Sequence, residues 1–256
     1  LMVGRPVLLS VGHKGADLGG ICLKASHLSV RDESGKSCLR DISFEVRRGE
    51  IFGIAGVSGN GQSELLEVLA GITPPEAGTL HVGMAEISPD RLLTPSAIKK
   101  LGVAHIPEDR HAMGLILPFT AAETAMLGYE ERGVANNSSV FLSPDNIHRH
   151  CAELMADFDI RPADPHLKSN LFSGGNQQKI VVAREILSRP DILLVGQPTR
   201  GVDIGAIEFI HKQLLGLRDA GCAVILVSVE LDEILSLSDR IMVMNAGQNM
   251  GIPVSY

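Results

Sequence analysis

Three features are scarce or missing in this chain of 256 residues: long hydrophobic runs, an excess of positive charge, and clustered cysteines. Uninterrupted apolar stretches such as residues 223–227 fall far short of the roughly 18 residues that a membrane-spanning helix needs. With 23 Lys plus Arg against 30 Asp plus Glu, and no run of basic residues, the chain lacks the positive patch that binds a nucleic acid backbone. The sequence therefore predicts neither a membrane span nor a nucleic acid partner.

Cysteine and histidine usage argues against two further kinds of site. Cys22, Cys38, Cys151 and Cys222 have neither metal-ligand spacing nor the density of a disulfide scaffold, which favours a reducing, cytoplasmic environment. Histidines such as His105 share no metal-ligand spacing with one another or with the cysteines. The sequence therefore predicts no metal site made of protein side chains alone.

The apolar pattern predicts an α/β fold with a mainly parallel core sheet. Residues 21–46 alternate loosely between apolar and polar, with a break at Ser34 and Gly35, which is typical of an antiparallel hairpin. A polar, turn-rich stretch follows Gly78, and residues 120–167 show a helical pattern. Strand-like apolar runs and helical stretches alternate at residues 51–55, 63–70, 101–106, 176–187, 191–195, 202–217, 223–227 and 240–244. This order indicates a parallel sheet covered on both faces, with an N-terminal antiparallel β subdomain and an inserted helical subdomain.

A glycine-rich loop joins the predicted strand 51–55 to the helix that follows it. Gln62 replaces the lysine of the phosphate-binding motif G-x-x-x-x-G-K-[ST], whose spacing the loop otherwise matches. The loop reads Gly56, Val57, Ser58, Gly59, Asn60, Gly61, Gln62, Ser63. Its glycines allow close backbone approach, so that successive N–H groups and the helix N-terminus can face phosphate oxygens. Gln62 removes a positive charge and Glu64 adds a negative one, so we expect weakened nucleotide affinity. The alternative is a strand-to-helix turn that is merely rich in glycine.

A second motif, at residues 171–179, decides between these interpretations. It reads Leu-Phe-Ser-Gly-Gly-Asn-Gln-Gln-Lys, and its serine and two glycines, at the start of a predicted helix, can form an anion cradle from backbone donors, a hydroxyl and the helix dipole. Ser-Gly-Gly alone could be an ordinary helix cap. The full segment, with Ser173, Gly174, Gly175 and Asn176 at its centre, resembles the signature motif of ATP-binding-cassette (ABC) proteins, in the form found in sugar and nucleoside importers. Phe172 replaces the usual leucine. The resemblance covers about residues 20–250 and implies the ABC ATPase P-loop fold.

The resemblance implies roles for further positions. Cassettes carry, in a fixed order, a loop matched here by residues 105–110, the signature, and segments matched by residues 197–203 and 228–230. Glu108 lies in the loop that in the family links the nucleotide to the coupling helix of a membrane subunit. Asp203 lies in the stretch that crosses the dimer interface, and it is also placed to cap the helix that follows. Ser63 would contact Mg²⁺ bound with ATP.

The catalytic positions depart from the family pattern. Where the family has an aspartate for magnesium and a glutamate that polarises the attacking water, this chain has Gly196 and Gln197. Val229 stands in place of the histidine that contacts the γ-phosphate, and Glu108 in place of a glutamine that contacts magnesium and water. No aromatic residue between positions 21 and 39 is available to stack on adenine. Loss of a general base costs about 10²- to 10⁴-fold in rate, and loss of an electrostatic clamp costs a similar factor. We therefore expect weak or absent binding of ATP and Mg²⁺ and negligible hydrolysis in this site.

Family cassettes pair head to tail, and each nucleotide lies between the phosphate loop of one and the signature of the other. The resemblance thus implies that this chain has a degenerate site but supplies Ser173, Gly174 and Gly175 to a partner cassette. More narrowly, it is similar to the second cassette of a tandem ATP-binding subunit from a bacterial importer of nucleosides or simple sugars. Leu1 and Met2 would then mark a fragment cut from a longer chain. The implied partners are a covalently linked sibling cassette, a membrane permease and, indirectly, a substrate-binding protein, at the cytoplasmic face of the membrane.

We expect residues 1–256 to form one cassette. About residues 20–87 and 176–250 would form its core, and about residues 110–175 its helical subdomain. Two other hypotheses stay open. One is a scaffold or dimerisation module that does not bind nucleotide, which the intact signature disfavours. The other is an autonomous soluble ATPase of the same superfamily, which Gln62 and Gln197 disfavour.

Overall fold

The computed structural model describes residues 18–32, 34–130 and 143–251. The strands in these ranges are β1 (Ile21–Arg31), β2 (Ser37–Arg47), β3 (Ile51–Ala55), β4 (Ala77–Val82), β5 (Ala85–Ile87), β6 (Val103–Ile106), β7 (Ile192–Gly196), β8 (Ala223–Ser228), β9 (Arg240–Asn245) and β10 (Gln248–Asn249). The α-helices are α1 (Gln62–Leu69), α2 (Pro95–Lys100), α3 (Ala121–Met126), α4 (Pro144–Asp157), α5 (Gly174–Leu187), α6 (Ile204–Asp219) and α7 (Leu231–Leu237). A π-helical turn lies at Arg110–Gly114 and a 3₁₀ turn at Ser169–Leu171.

The strands form two sheets. The core sheet has six strands in the order β10-β9-β3-β8-β7-β6, and all neighbours pair in parallel except β10 with β9. The second sheet has four antiparallel strands in the order β2-β1-β4-β5. The predicted mainly parallel core sheet and the antiparallel β sheet are therefore confirmed.

Both faces of the core sheet are buried. Successive side chains of each strand point to opposite sides of the sheet, and each side is covered by its own hydrophobic cluster. In β3, Phe52 and Ile54 join a hydrophobic cluster shared with the antiparallel sheet and α1. Ile51 and Ala55 join a second cluster, which includes residues of α3, α4, α5 and α6. Burial on both sides explains why these strands read as continuous apolar runs rather than as alternating ones.

Among the described residues of the range 120–167, the helical prediction is met by α3 and α4, whereas residues 158–167 are not helical. Thr120 begins α3 with a capping box, in which its side chain accepts from the Glu123 backbone while the Glu123 side chain accepts from the Thr120 backbone. The loop that the sequence predicts at residues 136–139 lies outside the described residues. None of the described helices is both long and apolar enough to cross a membrane.

The prediction of a polar, turn-rich stretch after Gly78 is wrong in part. That stretch contains most of β4 together with β5 and α2. The strands are short and only partly buried, so their apolar alternation is weak. Helix α2 has six residues; the Thr94 side chain caps it and Pro95 occupies its first turn.

Candidate functional site

The phosphate loop, residues 56–63, runs from the end of β3 into the first two residues of α1. Gly59 and Gly61 have φ angles of 84° and 101°, in the region that favours glycine. A Cβ on Gly61 would lie 2.6 Å from the carbonyl oxygen of Cys38, so this position also lacks room for a side chain. Val57, Ser58 and Gly59 are exposed, which leaves the outer part of the loop open to a ligand.

Gln62, at the lysine position of the motif, folds back into this loop. Its Oε1 accepts a hydrogen bond from the Asn60 backbone N–H at 3.2 Å, and its Nε2 donates to the Val57 carbonyl at 3.3 Å. The side chain is buried. Gln62 therefore brings no charge to the loop, and it occupies a backbone donor that a phosphate oxygen would need.

Ser63 and Glu108 meet at the mouth of the loop. The Ser63 hydroxyl donates to Glu108 Oε2 at 2.7 Å, although the two residues are 45 positions apart in the chain.

Glu64 lies in the first turn of α1, as predicted, where a carboxylate is favourable to the helix but not to a bound phosphate. Beside Glu108, hydrogen bonds from the Ala112 and His111 backbone hold the pKa of Asp109 below its usual value.

Gln197 and Val229, at two of the substituted catalytic positions, contact each other. Gln197 follows β7 with a φ of 46°, and its Oε1 accepts from the Val229 backbone N–H at 3.2 Å. The parallel pairing of β7 with β8 brings these strand ends side by side. Neither side chain can act as a general base at neutral pH, since an amide and an alkyl group do not titrate there.

The signature segment begins α5. Ser173 is the N-cap: its hydroxyl oxygen accepts from the Asn176 backbone at 3.4 Å and from Asn176 Nδ2 at 2.9 Å. The Ser173 side chain is exposed. The cap interpretation and the anion-cradle interpretation of Ser173 are compatible, because the hydroxyl proton is still available to a ligand.

Arg110 and Asp203 complete what we call the signature cluster, which consists of Ser173, Gly174, Gly175, Asn176, Arg110 and Asp203. Arg110 Nη1 donates to the Arg200 carbonyl at 3.1 Å, and a Cβ on Gly174 would lie 2.9 Å from Arg110 Nη2. Asp203 caps α6 by accepting from the Ala206 backbone at 2.9 Å, as the sequence predicted. Its Oδ2 would lie 3.0 Å from a Cβ on Gly175.

The structure thus places the predicted site residues in distinct groups. Gly56–Glu64, Glu108 and Gly196 form one group, the signature cluster forms another, and Gln197 and Val229 form a pair. Within the part of the chain that the structure describes, no hydrogen bond joins the phosphate loop to the signature cluster. From sequence alone, Arg110 lies only at the end of the loop at residues 105–110, with no connection to the signature. Its contact with residues 90 positions away could not be read from local pattern.

Comparisons with known proteins agree with the motifs. A sequence model of the ABC transporter family matches residues 39–200. The chain is 43% identical over 253 residues to the nucleoside import ATP-binding protein NupA of Lactococcus lactis, a match that covers 98% of this chain and 49% of that protein. It is 40% identical over 250 residues to the glucose import ATP-binding protein TsgD13 of Haloferax volcanii, over 97% of this chain and 45% of that protein. The chain spans about half the length of the curated relatives it matches.

The fold is also found among solved structures. A dimeric ATP-binding cassette, in a post-hydrolysis state bound to ADP and Pi, superposes with a TM-score of 0.77. It is 22% identical and is matched over 91% of this chain and 99% of its own. At this identity the likeness supports the fold alone, which is the ABC ATPase fold that the motifs implied.

Proposed function

Because the chain belongs to the ABC transporter family, we propose that it is an ATP-binding cassette of a bacterial importer for nucleosides or simple sugars. In this proposal its own nucleotide site is degenerate, and its signature completes an active site on a partner cassette. The observation that carries the proposal is an asymmetry between two groups of residues. Ser173 presents an exposed hydroxyl at a capped helix end. In contrast, the buried Gln62 side chain is neutral and hydrogen-bonds to the backbone of the phosphate loop.

The residues of the phosphate loop fit a nucleotide only weakly. The backbone N–H groups of the loop and of the first turn of α1 would hold its phosphates, and Ser63 would face the bound Mg²⁺. When bound, Mg²⁺ neutralises phosphate charge and orients the reacting oxygens. The chain contributes no lysine at Gln62, no carboxylate at Gly196 or Gln197, and no imidazole at Val229. These four substitutions support a half-site without useful hydrolysis.

The wider arrangement is part of the same proposal. We infer that this chain is the second cassette of a tandem subunit, whose sibling is covalently linked and supplies the lysine and carboxylates. The relatives of about twice this length support that view. The pair would bind a membrane permease from the cytoplasmic side, with Glu108, Asp109 and Arg110 near the contact, and a substrate-binding protein would deliver the solute. We also propose a division into a core, about residues 20–87 and 176–250, to which β6 of the core sheet is added, and a helical subdomain, about residues 110–175.

Steady-state phosphate release tests this function. The chain alone is assayed with saturating Mg²⁺ and ATP over a wide range of protein concentration, beside the same chain linked to a cassette with intact catalytic residues. We expect no turnover from the chain alone and clear turnover from the linked pair. Turnover that rises steeply with the concentration of the chain alone would show that homodimers hydrolyse ATP, which contradicts the proposal. Inactivity of both samples would favour a scaffold module instead.

A further inference from the structure

The phosphate loop is tied to a hairpin turn at one edge of the core sheet. Strands β9 and β10 pair antiparallel, with Asn245 opposite Gln248, so Ala246 and Gly247 form a two-residue turn between them, the β9–β10 turn. Both residues have positive φ angles, 48° and 75°, as the central residues of a type I′ turn do. Because β9 runs parallel to β3 as its neighbour, this turn lies beside the loop that follows β3.

Asn60 connects the loop to the turn, and all of its polar groups are hydrogen-bonded. Its side-chain Oδ1 accepts from the Ala246 backbone N–H at 2.7 Å, and its carbonyl oxygen accepts from the Gly247 N–H at 3.0 Å. Its Nδ2 donates to the Val57 carbonyl at 2.9 Å, and its own N–H donates to Gln62 Oε1 at 3.2 Å. Asn60 therefore joins the outer part of the loop to the turn through both its side chain and its backbone.

The β9–β10 turn is itself held against β2. The Arg40 backbone N–H donates to the Gly247 carbonyl at 2.7 Å. A Cβ on Gly247 would lie 2.4 Å from the carbonyl oxygen of Cys38, so the turn packs directly on the β2 backbone. The same carbonyl oxygen lies 2.6 Å from the Cβ position of Gly61 in the loop. The turn and β2 thus form a common support for the phosphate loop.

The affinity of the loop for an anion depends on this support. Among the residues that the structure describes, no protein acceptor is hydrogen-bonded to the backbone N–H groups of Gly59, Gly61, Gln62 or Ser63. These donors can bind phosphate oxygens together only while the loop keeps them directed at one place. The neutral Gln62 side chain supplies no charge that would hold a phosphate on a loop that has lost this shape.

We propose that Asn60 is a positioning residue for nucleotide binding, which holds the phosphate loop in its anion-binding conformation by anchoring it to the β9–β10 turn. The inference rests on the proposed function, because that function supplies the nucleotide. A loop that is ordered before binding gives higher affinity, since the entropy of ordering it is not lost when the ligand binds. Without a lysine in the loop, nucleotide affinity depends more heavily on this order, and a change in the turn alters it from outside the loop.

Equilibrium binding of a fluorescent ATP analogue in the presence of Mg²⁺ tests the inference, with the melting temperature of each variant measured alongside. Asn60→Ala removes the side-chain bonds to Val57 and Ala246. We expect affinity for the analogue to fall about 10-fold, or about 1.4 kcal/mol, the scale of two net hydrogen bonds. Asn249→Ala is a matched control, because Asn249 lies in β10 of the same hairpin but accepts from the Gly251 backbone. It should bind the analogue with wild-type affinity.

A substitution in the turn gives an independent arm. Gly247→Ala should displace the turn from Cys38 and weaken binding of the analogue, although position 247 is outside the phosphate loop. Gly83→Ala, in the turn between β4 and β5, also places a side chain at a positive φ but meets nothing within 4 Å, and should leave affinity unchanged. Asn60→Ala and Gly247→Ala together should weaken binding by less than the product of their separate effects, because both release the same contact.

Amide hydrogen exchange separates a positioning role from a purely structural one. In Asn60→Ala the Ala246 N–H loses its acceptor, so its exchange should become faster. Faster exchange with unchanged affinity for the analogue would overturn the inference, and so would independent effects of Asn60→Ala and Gly247→Ala on affinity. A wild-type chain that binds no analogue would overturn it as well. Phosphate release from the linked pair would in that case still test the proposed function, since it depends on the signature.

Discussion

Gly61 is a residue whose backbone conformation and surroundings both require glycine. Its φ of 101° is unfavourable for any residue with a Cβ, and Cys38 O lies 2.6 Å from where that Cβ would be. Gly83, in the turn between β4 and β5, has a φ of 57° but nothing within 4 Å of its Cβ position. Gly83→Ala is therefore a control for Gly61→Ala. It carries the cost of a positive φ angle, but its Cβ meets no neighbouring atom.

We expect Gly83→Ala to lower the free energy of unfolding by about 1–2 kcal/mol, the cost of a left-handed conformation. Gly61→Ala should cost about 1–3 kcal/mol more, because the loop must also shift away from Cys38. Urea unfolding of the two variants and the wild type measures both values. Equal losses would mean that the loop relaxes freely, which would contradict the view that Gly61 holds it in place.

At the scale of residues, the motifs predicted identities but not contacts. The spacing of the phosphate loop located Gln62, whereas the resemblance to ABC cassettes implied the roles of positions 196, 197 and 229. The fold-back of Gln62 depends on a side-chain conformation that no sequence pattern records. The hydrogen bond from Ser63 to Glu108 joins residues from different strand–helix units, so only the assembled sheet could reveal it.

At the scale of elements, a helix or strand could be predicted where its apolar periodicity and its bordering glycines were clear. The unit β3–loop–α1 was predicted because an apolar run, glycines and helical spacing follow one another without interruption. Helix α5 was predicted from residue 176, but it begins at Gly174, since Ser173 caps it and two glycines form its first turn. Helix α7 was not predicted, because its seven residues are too few to show a clear period.

A buried ion pair joins α5 to α3 and to the π-helical turn. Arg184 Nε donates to Glu185 Oε1 at 2.7 Å, and Arg184 Nη1 donates to the carbonyls of Gly114 and Thr124 at 2.9 and 3.2 Å. The Tyr129 hydroxyl donates to the other oxygen of Glu185. Burial, followed by the charge of Glu185, raises the pKa of Tyr129, which keeps the hydroxyl protonated as a donor.

Arg184→Met should be strongly destabilising, because it leaves the Glu185 carboxylate buried without its cation. The expected loss in free energy of unfolding is about 3–5 kcal/mol. Lys24→Met breaks a surface pair with Glu45, in which both side chains are well exposed, and should cost at most about 1 kcal/mol. Chemical unfolding compares the two variants. A loss for Arg184→Met as small as that for Lys24→Met would show that the buried network contributes little.

At the scale of the whole molecule, the two groups of site residues serve different active sites under the proposed function. The phosphate loop, with Glu108 beside it, belongs to this chain's own nucleotide site, whereas the signature cluster would face a nucleotide held by the partner cassette. Substitutions in the first group should then alter nucleotide affinity of the isolated chain. Substitutions in the signature cluster should alter turnover only in the linked pair.

Substitutions at Ser173 can separate its proposed role in the partner's active site from its role as a helix cap. Ser173→Thr keeps both the cap and the hydroxyl, whereas Ser173→Asp keeps the cap but puts a negative charge in the anion cradle. We expect both variants of the chain to unfold within about 1 kcal/mol of the wild type, because Thr and Asp are both good N-caps. In the linked pair, Ser173→Thr should retain phosphate release. Ser173→Asp should lower it by at least about 10²-fold, since loss of one donor to a reacting oxyanion already costs that much. Unimpaired release from the Ser173→Asp pair would reduce Ser173 to a helix cap and contradict its role in trans.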